Sequence, residues 1–158
     1  MYEKILLPLD GSKVGETALP HIEQLVSKVT PGLGVEVTLF QVVSPEVPQD
    51  IAGRVDIPIS YTATELEKSK KKAMEYLDKA SEGLRSKGAV VECKVGVGSA
   101  AEEIIKAADE INADFVAMST HGRSGLSRWA FGSVTDKVLR GGNRPVLMVR
   151  ASRKTVKA

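Results

Sequence analysis

One pattern constrains this chain more than any other. Five short apolar runs, at residues 5–9, 35–43, 90–97, 114–118 and 145–149, alternate with segments whose apolar residues recur at helical spacing. The first run, ILLPL, is continuously apolar, which marks a strand covered on both faces rather than one. Pro8 near its end has no N–H to donate, so its ladder should stop there. The implied order is β-α-β-α-β-α-β-α-β. Parallel strands joined through helices make right-handed crossovers, which place helices on both faces. The expected class is therefore α/β, with three layers (α/β/α) around a five-stranded, mainly parallel sheet. Ligands of such sheets bind beyond the carboxyl ends of the strands, where strand order reverses.

The helical segments carry their own signatures. Ala18, Ile22, Leu25, Val26 and Val29 line one face of the first, with Ser12 as a candidate cap and Pro20 blurring its start. The longest pattern runs over residues 59–87, with Leu66, Ala73, Leu77, Ala80 and Leu84 facing one way. Residues 101–111 place Ile104, Ile105, Ala108 and Ile111 together, and residues 133–140 form the last helix. Between the second strand and the longest helix, residues 44–58 hold three prolines and a glycine and read as a long loop.

Length bounds the organisation. A chain of 158 residues is expected to be one domain, here 1–150, followed by the basic tail ASRKTVKA at 151–158, expected to fray. Aromatic content of 4% argues against base stacking on single strands, and a net charge of +2 with interleaved signs argues against nucleic acid as a partner. The run Lys68 to Lys72 is flanked by Glu65, Glu67 and Glu75 and reads as a solvated helix face. The single cysteine, Cys93, excludes an internal disulfide and sits in an apolar strand, where it is expected to be buried. No signal-peptide pattern or membrane-length apolar run is present, so a cytoplasmic location without membrane attachment is expected.

Few catalytic motifs survive inspection. No Walker-type loop, zinc-protease helix or paired-cysteine spacing occurs. Ser69-x-x-Lys72 lies on a solvated face without supporting motifs. His21 is expected to pack on the first helix, and His121 to shape a loop. Gly96-Val97-Gly98-Ser99-Ala100-Ala101 fits G-x-G-x-x-A between a strand and a helix. The acid that a dinucleotide fingerprint wants at the end of the next strand is missing, so this is read as a tight turn. A stronger signal lies in residues 116–149, VAMSTHGRSGLSRWAFGSVTDKVLRGGNRPVLMV. There an apolar run enters a Gly/Ser/Arg loop that opens a helix at Gly132-Ser133. Free N–H groups and the positive helix end converge at such a junction and suit phosphate.

These residues resemble the universal stress protein family, specifically its ATP-binding branch with the signature G-x2-G-x9-G-[ST]. The register is Ser119-Thr120-His121-Gly122, nine residues, then Gly132-Ser133. KILLPLDGS and VTLFQVV are similar as well, and the resemblance spans nearly the whole chain. It implies a Rossmann-like adenine nucleotide-binding fold with strand order 3-2-1-4-5, and a homodimer through the fifth strand. It implies ATP or another adenine nucleotide as ligand, with any Mg²⁺ held mostly by phosphate oxygens and water. Carried over by position, Pro8, Leu9 and Asp10 line the nucleotide, with Asp10 toward base and ribose, and Val42 covers the adenine. Met118, Ser119 and Thr120 stand at the fourth strand's exit. Gly122 and Gly132 let backbone approach phosphate, Ser133 and Val134 open the helix beneath it, and Arg123 and Arg128 either add charge or face solvent.

One position departs from the signature: Ser119 stands where it has its first glycine. If positive φ is needed there, serine costs roughly 1–2 kcal/mol. If closeness is needed, the side chain narrows the pocket; either effect would weaken ATP or favour a smaller nucleotide such as AMP or a cyclic form. The leading expectation is an adenine-nucleotide-binding stress or regulatory protein with little or no hydrolysis, since no base or arginine clamp for phosphoryl transfer is visible. The alternatives are a slow ATPase or autophosphorylating protein using Ser133, Ser124 or Thr120, and a nucleotide-independent dimeric interaction module.

Overall fold

A computed structural model describes residues 4–29, 34–45, 62–120 and 132–151. Within them lie five strands: β1 (Lys4–Pro8), β2 (Glu36–Val43), β3 (Val90–Val97), β4 (Phe115–Thr120) and β5 (Val146–Arg150). Five helices lie between them: α1 (Ala18–Lys28), α2 (Ala63–Ala80), α3 (Glu82–Ser86), α4 (Ala100–Glu110) and α5 (Ser133–Gly141). All neighbouring strands are parallel, in the order β3-β2-β1-β4-β5. This is the α/β class, strand direction and strand order that the sequence implied.

Continuous apolarity in β1 has the cause expected of it. Ile5, Leu6 and Leu7 are each 0% exposed because alternate side chains enter two different cores. Ile5 and Leu7 join Ile22, Leu39, Leu77 and Leu84 on the α1/α2/α3 face. Leu6 joins Phe40, Ile104, Val116 and Val138 on the α4/α5 face. The β1–β2 ladder outlives Pro8 by one bond, from Leu9 N–H to the Phe40 carbonyl at 2.8 Å.

Several local expectations are corrected. Ser12 does not cap α1: a 3-10 turn over Gly15–Thr17 intervenes, and Thr17 at the N-cap makes no side-chain cap bond. Pro20 is accommodated because it sits in the first turn, where its missing N–H would find no intrahelical partner. The long helical pattern is two helices broken at Ser81, which is fully buried and donates its hydroxyl proton to the Asp78 carbonyl at 2.6 Å. Leu77 and Leu84 keep the apolar spacing across that break, so it is hidden from periodicity. The helix opens with a capping box, in which Thr62 and Glu65 bond reciprocally.

β4 extends through Ser119 and Thr120, which were expected to begin the loop; they pair instead with Val149 and Arg150. His21 is exposed on α1, and Cys93 is half-buried against the α1/α2/α3 core. Among the described residues no helix is long and apolar enough to cross a membrane.

Candidate functional site

At the carboxyl ends of the strands the sheet opens into a cleft of about 280 Å³. It lies where the topology dictates: α1 leads from β1 outward to β2, while β4 lies on the other side of β1. Its floor and rim come from the β1 exit (Pro8, Leu9, Asp10), the β4 exit (Met118, Ser119) and the start of α5 (Gly132, Ser133, Val134, Thr135). Phe40 and Val42 of β2, with Ala100 and Ile104 of α4, supply an apolar wall.

The sequence-predicted residues divide accordingly. Pro8, Leu9, Asp10, Val42, Met118, Ser119, Gly132, Ser133 and Val134 are brought together around this one space. Thr120 is not: it is buried beyond the cleft, and its carbonyl accepts from Ala151 N–H at 2.9 Å. Gly122 and Arg123, with His121, Ser124 and Arg128, lie outside the described residues. Lining residues that sequence reasoning missed include Ser12, Val14, Gly15, Phe40, Ala100, Ile104 and Thr135. Two had a usable signal. Phe40 is two positions before Val42 on a strand, hence on its face. Ala100 belongs to the G-x-G-x-x-A turn that opens α4.

That turn has a packing reason for its glycines. A Cβ on Gly96 would stand 2.6 Å from Phe40 Cζ, so its absence lets the ring lie across β3 toward the cleft. Gly98 has φ +142°, a conformation open to glycine.

The β1–α1 loop is built differently, from hydrogen bonds. Asp10 Oδ1 accepts from the Ser12 N–H at 2.9 Å and from its hydroxyl at 2.6 Å. Ser12 Oγ in turn accepts from Gly15 N–H at 3.0 Å. A Cβ on Gly15 would collide with Asp10 Oδ1. Ser119 reaches the same loop from β4, donating to the Gly15 carbonyl at 2.8 Å and accepting from Ala18 N–H at 3.0 Å. From α2, the Tyr76 hydroxyl donates to Glu16 Oε1 at 2.8 Å. Burial, then that hydrogen bond to the Glu16 carboxylate, push the Tyr76 phenol well above its usual range, so it remains a donor.

This geometry answers the conformational doubt about Ser119. It lies in an ordinary strand; Asn112 is the sole non-glycine residue with positive φ among the described residues. No strain is paid for serine at this position. Its hydroxyl is engaged by the α1 entrance, with both its donor and an acceptor site used.

Chemically the cleft has three distinct parts. Leu9, Phe40, Val42, Ile104, Met118 and Val134 make apolar surface suited to a flat ring. Asp10 is the one ionisable side chain among the described lining residues, and its Oδ2 accepts no hydrogen bond from them. α5 begins at Gly132 without a side-chain cap, which leaves its first N–H groups and its positive end facing the cleft. No group of three or more His, Cys, Asp or Glu able to hold a metal occurs among the described residues.

Comparison with known proteins places this arrangement in context. The universal stress protein family model matches residues 1–150. Universal stress protein MJ0577 of Methanocaldococcus jannaschii is 30% identical, over 95% of this chain and 96% of its own length. The solved structure of hypothetical protein MJ0577 superposes with a TM-score of 0.74, over 97% of this chain and 99% of that one, at 30% identity. Two more distant structures share the fold. A universal stress protein solved in complex with cAMP has a TM-score of 0.67 at 20% identity, covering 96% of this chain and 98% of its own. The Archaeoglobus fulgidus universal stress protein in complex with dAMP has a TM-score of 0.60 at 22% identity, covering 93% and 97%.

Proposed function

Because the chain belongs to the universal stress protein family, we propose that its cleft binds an adenine nucleotide, ATP in the first instance, and that the protein acts as a stress-response regulator. The observation that carries this reading is the set of chemistries around one space. Apolar surface, one carboxylate and an uncapped helix N-terminus line the same cleft and match the needs of base, ribose and phosphate in a nucleotide. Pro8, Leu9 and Val42 would hold the base. Asp10 would accept hydrogen bonds from ribose hydroxyls, and the N–H groups of Ser133 and Val134 would meet phosphate. Gly122 and Arg123 would complete the phosphate end in the ATP-binding branch of the family. Mg²⁺ would ride on phosphate oxygens and water, since the described lining residues offer no carboxylate cluster for it. Relatives solved with cAMP and dAMP support an adenine ligand.

A monophosphate is the second reading. It is favoured by the described lining residues, which offer phosphate backbone and hydroxyl dipoles but no cationic side chain. Calorimetric titration with ATP, AMP and cAMP, with and without Mg²⁺, separates the two. Binding of none of them sinks both and leaves a nucleotide-independent interaction module. Gly132→Val should weaken binding about tenfold or more by blocking backbone approach; unchanged affinity would mean the phosphate end lies elsewhere.

Hydrolysis is proposed to be slow or absent, because these contacts favour the bound ground state and no described side chain is placed as a base. Metabolic-scale turnover by pure protein would overturn this. The protein is further proposed to be a cytoplasmic single domain over residues 1–150 that dimerises through β5 and needs neither nucleic acid nor membrane. β5 pairs only with β4 among the described strands, and Leu147 and Met148 on it are exposed. Light scattering on Leu147→Lys should show monomer where the parent chain is a dimer.

A further inference from the structure

We infer that Ser119 is a positioning residue that sets the Asp10 carboxylate through a hydrogen-bonded relay across the mouth of the cleft. The inference rests on the nucleotide reading above and adds what orients its ribose-facing group. The relay can be followed atom by atom. The Ser119 hydroxyl donates to the Gly15 carbonyl at 2.8 Å and accepts from Ala18 N–H at 3.0 Å, so it holds both ends of the 3-10 turn that precedes α1. The N–H of that same Gly15 donates to Ser12 Oγ at 3.0 Å. The Ser12 hydroxyl then has one direction left for its proton, and it donates to Asp10 Oδ1 at 2.6 Å. Each hydroxyl donates once and accepts once, so the sense of the chain is fixed from β4 to Asp10.

Two further observations make the relay specific to the carboxylate. Gly15 lacks a Cβ where Asp10 Oδ1 packs against it, so a shift of Gly15 moves the carboxylate directly. Ser12 engages Oδ1 with both its N–H and its hydroxyl, which leaves Oδ2 as the acceptor for ligand. Ser119 also does for α1 what no nearby side chain does, since Thr17 at the N-cap makes no cap bond. A residue 101 positions away in sequence therefore caps the helix and registers its approach loop against β4. Strands β1 and β4 are joined by only two register pairs, Ile5 with Phe115 and Leu6 with Val116, both far below the cleft mouth. Above those pairs the relay ties the end of β4 to the loop that leaves β1.

The test is a double-mutant cycle read by binding. ATP and AMP are titrated into the parent chain, Ser119→Ala, Asp10→Asn and the double variant, and melting temperatures are taken alongside. Ser119→Ala should weaken both nucleotides roughly five- to tenfold, the worth of one or two oriented hydrogen bonds. In the Asp10→Asn background the same change should cost less than about twofold, because its effect runs through that carboxylate. A residue that merely stabilises the fold would lower affinity equally in both backgrounds. Ser12→Ala breaks the relay at an exposed position, so it reports even where Ser119→Ala folds poorly; it should show the same loss and the same dependence on Asp10. Full additivity, or unchanged affinity in Ser119→Ala and Ser12→Ala, overturns the inference while nucleotide binding stands. A parent chain that binds neither nucleotide overturns the nucleotide reading and this one with it.

Discussion

Two strand-to-helix crossovers border the cleft, and they solve the same problem by opposite means. Between β3 and α4 the chain turns on Gly98, just after Gly96 near the strand's end, and the segment looks like a dinucleotide fingerprint. What it contributes is apolar wall, Ala100 and Ile104, and room for the Phe40 ring. Between β1 and α1 no fingerprint is written. Yet that loop carries the cleft's ionisable group and the densest set of side-chain hydrogen bonds around it. Gly96 in the first is there for a neighbouring ring, and Gly15 in the second is there for a carboxylate. A string of small residues therefore says that backbone comes close to something; only the packing says to what.

Substitutions that exchange these roles sharpen the contrast. Gly96→Val drives a branched side chain into Phe40 and should lower stability by about 1–3 kcal/mol in denaturant unfolding, the usual cost of overpacking. An unshifted transition would mean that the ring does not lie over β3. Gly15→Ala should act on binding rather than stability. It displaces the Asp10 carboxylate at an open rim, so affinity for ATP should fall about fivefold while the melting temperature barely moves. Equal losses in both measurements would erase the distinction between the two crossovers.

Cys93, on the strand that feeds the fingerprint-like turn, gives a smaller effect with a pH signature. Burial, then the Asp78 carboxylate, push its thiol above the ordinary range. Less thiolate is present at neutral pH, so alkylation should be slower than that of a free cysteine and should keep rising above the pH where free cysteine levels off. A rate profile matching free cysteine would place the thiol in open solvent. The smallest effect belongs to Ser99, the N-cap of α4, whose side chain makes no cap bond. Ser99→Ala should change stability by less than about 0.5 kcal/mol, whereas Thr62→Ala, which dismantles a complete capping box, should cost about 1 kcal/mol.

What could be read in advance follows the range of the forces involved. β3 was legible to the residue, because Val91, Cys93, Val95 and Val97 alternate with Glu92, Lys94 and Gly96. β4 was read two residues short: Ser119 and Thr120 have no strand signature, and their extended form comes from pairing with Val149 and Arg150. The break at Ser81 carried no proline and kept the apolar spacing intact. In the cleft, Leu9, Val42 and Gly132 were reachable by pattern and resemblance. Phe40 was not singled out, and Ser119 read as a flaw in a glycine signature. Its partners stand more than 100 positions earlier, and no local rule connects them.

The central place of β1 has a consequence for how the chain comes into being. Its ladder with β2 spans about thirty positions, but its other neighbour begins at Phe115, so its second edge waits for most of the chain. A nascent polypeptide grows from the amino end, and long-range parallel pairing is slow. The first strand to emerge is thus enclosed only after β2 and β3 have been made. Until β4 arrives, Leu6 has no Val116 beside it, and a β1–β2–β3 half-sheet presents an open apolar border. Aggregation during synthesis or refolding should start at that border, and a chain truncated before residue 115 would keep it exposed permanently.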